Sequence, residues 1–214
     1  MIVGEIMVKH LITIKKTDSL KDAQGLMVKH SIRHLPVIDG SELLGIITES
    51  DIRGAFIQQG NRNKGGEIQL MDPARMKVND HMTRNALTVS PDTHIEDAAL
   101  LIYQNKIGAL PVVRDGKLAG IVSIMDILGL FVDMMGIIHS SSRIDVVMNK
   151  APKNFEAVSS IINKNDVNII SVGMAPYAKD DKKQVYFFRL DLCKTKKLVK
   201  EIEAAGYTVL AALD

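Results

Sequence analysis

Four residues of this sequence could hold a small polar ligand: Thr48 with Asp51, and Ser123 with Asp126. In each pair a hydroxyl residue precedes an acid by three positions, directly after Gly45-Ile46-Ile47 or Gly120-Ile121-Val122. A carboxylate accepts hydrogen bonds from both hydroxyls of a ribose 2′,3′-diol, and its charge strengthens them. A serine or threonine at a helix start stands beside backbone N–H groups that lack intrahelical partners, a ready place for phosphate. Pro36 and Pro111, set among apolar residues upstream of each pair, offer a flat, dry wall for a purine. The same spacing is also that of a capping box, in which the acid closes back on the hydroxyl residue. Taken alone, such a signature starts a helix far more often than it binds anything, and a proline there also punctuates a strand edge.

Repetition adds weight to the binding reading. Leu35 to Asp51, LPVIDGSELLGIITESD, returns as Leu110 to Asp126, LPVVRDGKLAGIVSIMD, 75 residues later. Residues 7–56 slide against 82–131 without a gap, and 16 of the 50 pairs are identical. The chain therefore holds two copies of one unit. Ribose acceptor, phosphate donor and purine wall lie close together in the sequence, and do so twice.

The elements that must position these residues follow from periodicity. Leu11 to Ile14 alternates as a short strand that ends at Thr17, Asp18 and Ser19. Leu20, Ala23, Met27 and Val28 recur at helical spacing, as do Ile95, Ala98, Leu101 and Ile102. Asp18 or Ser19 is expected to cap the first of these helices and Thr93 the second. Val37-Ile38 and Leu43 to Ile47 predict a hairpin around Asp39-Gly40, with Asp115-Gly116 as the turn of the second copy. Each unit reads as a short strand, helix, strand, strand and helix. A unit this small leaves one sheet face uncovered, so two should pack together.

Beyond His139-Ser-Ser-Ser-Arg143 the pattern changes. Ile144 to Met148 predicts a strand, and Phe155, Val158, Ile161 and Ile162 share one helix face. Asn168 to Met174 and Gln184 to Leu192 read as strands flanking a charged turn, Lys179 to Lys183. A helix carrying Leu198, Ile202 and Ala205 ends at Gly206 and leads into Tyr207 to Ala211. The order βαββαβ is the split βαβ arrangement, with helices on one face of an antiparallel sheet. The expected organisation is a first unit over 1–62, a linker over 63–76, a second unit over 77–136, a linker over 137–142 and a terminal domain over 143–214, an α+β chain overall.

Composition narrows the function classes. The 214 residues are 46% hydrophobic and 24% charged, as in ordinary soluble globular proteins. A net charge of +2 gives no strong pull toward nucleic acid. Cys193 stands alone, so no intrachain disulfide forms, which fits a reducing cytoplasm. No secretory signal pattern is visible near Glu5, and the most apolar run, Leu118 to Ile138, reads as core, so no membrane partner is expected. The six histidines show no metal-ligand spacing, and a Gly-x-Ser-x-Gly elbow is absent. Gly60 and Gly65 have the separation of a phosphate loop, but Gly66-Glu67 replaces the required Lys-Ser/Thr. Lys194, Lys196, Lys197 and Lys200 read as a solvated helix face, and Met134-Met135 as gap-fillers. No catalytic set is present, so the chain reads as a non-enzyme without a catalytic cofactor.

The repeated unit resembles the CBS domain, whose pairs form the Bateman module that binds adenosine nucleotides. Met7, Leu35-Pro36-Val37 and Gly45-Ile-Ile-Thr48-Glu-Ser-Asp51 carry the resemblance, with Met82, Leu110-Pro111-Val112 and Gly120-Ile-Val-Ser123-Ile-Met-Asp126. It implies a regulatory adenine nucleotide as ligand: AMP, ADP, ATP or S-adenosylmethionine. It also implies that each cleft is shared between the repeats. Ser123 and Asp126 would then work with Leu35-Pro36 and an edge containing Lys9, Leu11 and Ile12; Thr48 and Asp51 would work with Leu110-Pro111 and an edge containing Asn85 and Leu87. Arg33 and His34 stand beside the first wall, and Gly108 and Ala109 beside the second, so the Asp126 cleft is expected to be the more basic and to prefer more phosphate charge.

Residues 143–214 resemble the ACT domain, a ferredoxin-like module that often senses amino acids. The turn Asn149-Lys-Ala-Pro152-Lys153 has lysine where that family places glycine, which argues against an amino-acid site and leaves dimerisation as the plainer role. Two CBS units followed by one ACT-like domain are similar in architecture to the bacterial acetoin-utilisation accessory proteins. The resemblance implies a homodimeric regulator of a protein partner around acetoin or acetate metabolism. The other reading, a constitutive adaptor whose boxes only cap helices, stays open at this point.

Overall fold

The computed structural model describes residues 1–58 and 72–214. The polar linker and its rejected phosphate-loop spacing lie mostly outside the described residues. By internal contacts the chain divides into two units, Met1–Ile127 and Leu128–Asp214.

The first repeat runs α1 (Val3–Ile6), β1 (Ile14–Lys15), α2 (Leu20–His30), β2 (His34–Asp39), β3 (Glu42–Thr48) and α3 (Glu49–Gln58). The second runs α4 (Val78–His81), β4 (Thr83–Arg84), α5 (Ile95–Asn105), β5 (Ala109–Arg114), β6 (Lys117–Ser123) and α6 (Ile124–Met134). The strands join in the order β1-β2-β3-β6-β5, with β4 on β3. Both hairpins form from the strands that alternation predicts. The second turns at Asp115-Gly116, both at positive φ as a type I′ turn requires. The first turns one residue later than expected, at Gly40-Ser41, because Asp39 pairs with Glu42. Two further expectations are corrected. The first strand is Ile14–Lys15, not Leu11 to Ile14. The N-cap of α5 is His94, without a side-chain bond, because the Thr93 hydroxyl accepts the N–H of Ser90 instead.

The short helices α1 and α4 explain how the repeats hold each other. Val3 has no exposed surface and sits in the second repeat's core with Val89, Ala98, Ile102, Leu110, Val112 and Val122. Val78, its equivalent 75 residues on, sits in the first repeat's core with Leu20, Leu35, Val37 and Ile47. Backbone bonds fix both exchanges: the N–H of Val3 donates to Thr93 O at 2.9 Å, and that of Val78 to Asp18 O at 2.9 Å. Burying one such valine contributes roughly 1.5–3 kcal/mol.

Just after each short helix the chain crosses onto the other repeat's sheet. Val8 exchanges N–H···O bonds with Ile121 at 2.9 and 3.1 Å, and Thr83–Arg84 pair with Gly45-Ile46. The crossings are tight at one residue each. A Cβ on Gly45 would run into the carbonyl oxygen of Thr83, and one on Gly120 would lie 2.6 Å from Met7 Sδ and 3.1 Å from Val8 O. Glycine is required here for close backbone approach.

The second unit contains β7 (Ser141–Asn149), α7 (Pro152–Lys164), β8 (Ile169–Pro176), β9 (Lys183–Asp191), α8 (Lys196–Ala204) and β10 (Thr208–Leu213). All pairs are antiparallel in the order β10-β7-β9-β8, the split βαβ topology. Ile144, Val146 and Met148 alternate inward and pack with Phe188 and Leu190 against Val158, Ile162, Leu198 and Ile202 of the two helices. Proline at the first position of α7 suits a helix start, where its missing N–H costs nothing. Among the described residues, no helix is long and apolar enough to cross a membrane.

The tight crossings give a test. Gly45→Ala should lower stability by about 1–3 kcal/mol, the range of core overpacking. Gly120→Ala should cost less, because its nearest obstacle is the end of a flexible methionine. Urea unfolding of both variants checks the order, and an equal or reversed cost would refute it.

Candidate functional site

Helices α3 and α6 begin where β3 and β6 end, so each hydroxyl residue closes a strand and caps the helix after it. Asp51 Oδ2 accepts the Thr48 N–H at 2.8 Å and the Thr48 hydroxyl at 2.7 Å, while Thr48 Oγ1 accepts the Asp51 N–H at 3.2 Å. Ser123 and Asp126 repeat this at 2.7, 2.6 and 3.3 Å. These are closed capping boxes. A hydroxyl has one proton to give, and here it goes to the carboxylate. Thr48 and Ser123 therefore hold the aspartates in place, each hydroxyl giving its proton to the carboxylate.

A third box shows what the first two share with ordinary helix starts. Ser19 and Asp22 make the same bonds at 3.1, 2.6 and 3.1 Å. These bonds from Ser19 lower the Asp22 pKa below its ordinary value. Asp22 is exposed, whereas Asp51 and Asp126 are half-buried and line clefts. The box fixes the carboxylate through Oδ2 and leaves Oδ1 outside it; the surroundings then decide whether that atom meets a ligand.

Both clefts draw on both repeats. Thr48 and Asp51 open into a cleft of about 650 Å³ that also takes in Asn85, Leu87 and Ala109 of the second repeat. Ser123 and Asp126 line one of about 220 Å³ with Leu11, Ile12 and Pro36 of the first. Four of the expected wall and edge residues do not line these clefts. Leu35 and Leu110 have no exposed surface and belong to the two cores, because neighbouring strand residues point to opposite faces. Pro111 is buried outside the Asp51 cleft, where Ala109 takes the wall position. Lys9 is exposed and lines neither cleft.

Charge is distributed opposite to expectation. The Asp51 cleft gathers Arg33, Arg53 and Lys106, while the Asp126 cleft has Arg33 and His10 among apolar neighbours. Glu49 holds Arg33 at 3.8 Å and Arg53 at 4.0 Å, all three well exposed, so these pairs are weak. Lys106 caps α5 in the left-handed region, at φ 53°, and its equivalent Ser31 caps α2 at φ 54°. The repeat offset carried this signal, since Ser31 and Lys106 are 75 residues apart.

His34 and Arg33 line both clefts. The His34 ring lies against Gly108, where a Cβ would collide with its Nε2. Burial, and then the Arg33 charge, lower its pKa below the ordinary 6.5, against the opposing pull of Asp51. The ring is thus an uncharged partition between the clefts at neutral pH.

This partition has a pH signature. The folded-state pKa of His34 lies below the unfolded value of 6.5. Between the two values the unfolded chain binds more protons, so stability rises with pH there and falls as pH drops through 6.5. The melting temperature of the wild type should therefore fall more steeply than that of His34→Gln between about pH 7.5 and pH 5. Parallel curves would refute the assignment.

Comparisons with known proteins agree with this geometry. Residues 3–58 and 78–133 match the CBS domain. Inosine-5′-monophosphate dehydrogenase of Methanocaldococcus jannaschii is 28% identical over 173 residues, covering 80% of this chain and 32% of that enzyme. The chain thus spans about a third of the length of that relative. The crystal structure of the CBS domain pair of protein MJ0100, in complex with 5-methylthioadenosine and S-adenosyl-L-methionine, is 32% identical with a TM-score of 0.53, covering 61% of this chain and 99% of that one. A Vibrio cholerae protein assigned to acetoin utilization (AcuB) is 26% identical with a TM-score of 0.53, covering 64% of this chain and 95% of that one. With more than half of its residues matched, in two copies whose Asp51 and Asp126 boxes and exchanged segments are related by the same 75-residue step, this chain belongs to the CBS domain family.

Proposed function

We propose that the protein is a non-enzymatic regulatory sensor that binds an adenosine-bearing ligand in each of the two clefts of its CBS pair. One observation carries the reading: two box-fixed, half-buried aspartates, Asp51 and Asp126, each face an edge supplied by the other repeat. Asp51 Oδ1 and Asp126 Oδ1 would accept the ribose hydroxyls. Leu87 and Ala109, or Leu11, Ile12 and Pro36, would flank the base. The adenosine ligands of the MJ0100 pair support this choice of ligand. A ligand that bridges the repeats favours one arrangement of the pair, which is how binding becomes a signal.

The C-terminal unit is read as an ACT-like, ferredoxin-like domain that pairs in a homodimer and passes the state to a protein partner. Its βαββαβ order supports the fold, and Lys153, in the first turn of α7 where that family places glycine, makes dimerisation the plainer role than amino-acid sensing. The reading places the protein in the cytoplasm, in acetoin or acetate metabolism, and the Vibrio cholerae relative supports the acetoin part.

A thermal-shift panel of AMP, ADP, ATP and S-adenosylmethionine tests the reading. A ligand at a hundred times its dissociation constant stabilises by about 2.7 kcal/mol, which a melting curve resolves. The double variant Asp51→Asn, Asp126→Asn should lose the response. A flat wild-type panel would make the protein a constitutive adaptor.

A further inference from the structure

We infer that the two clefts take different classes of adenosine ligand: the Asp51 cleft a nucleotide carrying a phosphate chain, the Asp126 cleft an adenosine whose 5′ substituent bears no phosphate. The inference rests on the adenosine reading above and assigns each cleft its ligand class.

Size separates them first. About 650 Å³ lies inside the usual range for small-molecule sites, roughly 300–1,000 Å³. About 220 Å³ lies below it and leaves little room beyond a nucleoside.

Side-chain chemistry separates them further, and the repeat identifies the positions responsible. The helix start at Asp51 reads Thr48-Glu-Ser-Asp-Ile-Arg53, and that at Asp126 reads Ser123-Ile-Met-Asp-Ile-Leu128. Where the first cleft takes in Glu49, Ser50 and Arg53, the second takes in only Ile124 of the equivalent positions. Across the cleft Lys106 faces the Asp51 site, whereas its equivalent Ser31 lines the Asp126 site. Arg33 has no counterpart, since its equivalent is Gly108, and its guanidinium leans toward Glu49 at the Asp51 helix start. Three cations therefore converge on one cleft. Two of them are guanidiniums, whose planar fork of donors matches phosphate oxygens. Glu49 holds both arginines weakly from an exposed position, and an incoming phosphate can replace it. The Asp126 cleft, walled by Val8, Leu11, Ile12, Ile32 and Pro36, has only His10 beside the shared Arg33.

Calorimetry with ATP and adenosine on the full chain tests this. ATP should occupy one site per chain, and adenosine should still bind once per chain when ATP is saturating. The double variant Arg53→Ala, Lys106→Ala, which alters exposed side chains, should bind ATP at least about tenfold more weakly while its adenosine affinity holds. In the wild type, raising salt should weaken ATP binding and leave adenosine binding unchanged. If adenosine cannot bind beside ATP, or if the variant binds ATP within twofold of the wild type, the division of ligands is wrong while adenosine recognition stands. If neither probe binds the wild type, the adenosine reading fails and this inference with it.

Discussion

Close passage of one backbone over another at Gly45 and Gly120 is the constraint on which the CBS pair depends. At each crossing the lead-in strand of one repeat bonds to the sheet of the other with no room for a side chain between them. This contact brings residues 10–12 within reach of Asp126, and residues 83–87 within reach of Asp51. The glycine lies three residues before the hydroxyl that caps the helix, so one short segment both admits the partner strand and fixes the carboxylate. A methyl group at the glycine would displace the edge that faces the aspartate, and the cleft would lose a wall.

The capping box has a different standing once all three copies are seen. Its bonds at Ser19, Thr48 and Ser123 agree within a few tenths of an ångström. The box is thus a device for starting a helix and holding a carboxylate still. A site arises only where that carboxylate faces a second surface, and the duplicated chain supplies one at two of the three boxes.

Much of this was legible in the sequence, because a gapless repeat constrains both secondary structure and symmetry. Strand alternation and helical spacing placed the hairpins and main helices, and the βαββαβ order of the terminal unit. Other features had no local signal. The four-residue helices α1 and α4 are too short for periodicity, and their role depends on where the other repeat presents a vacancy for Val3 or Val78. Leu35 and Leu110 belong to the cores and not to the walls because a strand offers only alternate residues to one face. Charge gathers at the Asp51 cleft because Arg33, which lines both clefts, turns toward Glu49, and Lys106 enters from a helix end.

The exchange of Val3 and Val78 also imposes an order in time. A chain emerging from the ribosome can pair β2 with β3 as soon as both are made, yet the core beneath them stays open until Met76 and Val78 arrive. Val3, made before the rest of its core, waits for a core whose last buried strand residue is Val122. Neither repeat therefore holds a complete core of its own. The turn that carries Val3 finds its place only when the second copy is nearly complete, so completing either core requires both repeats.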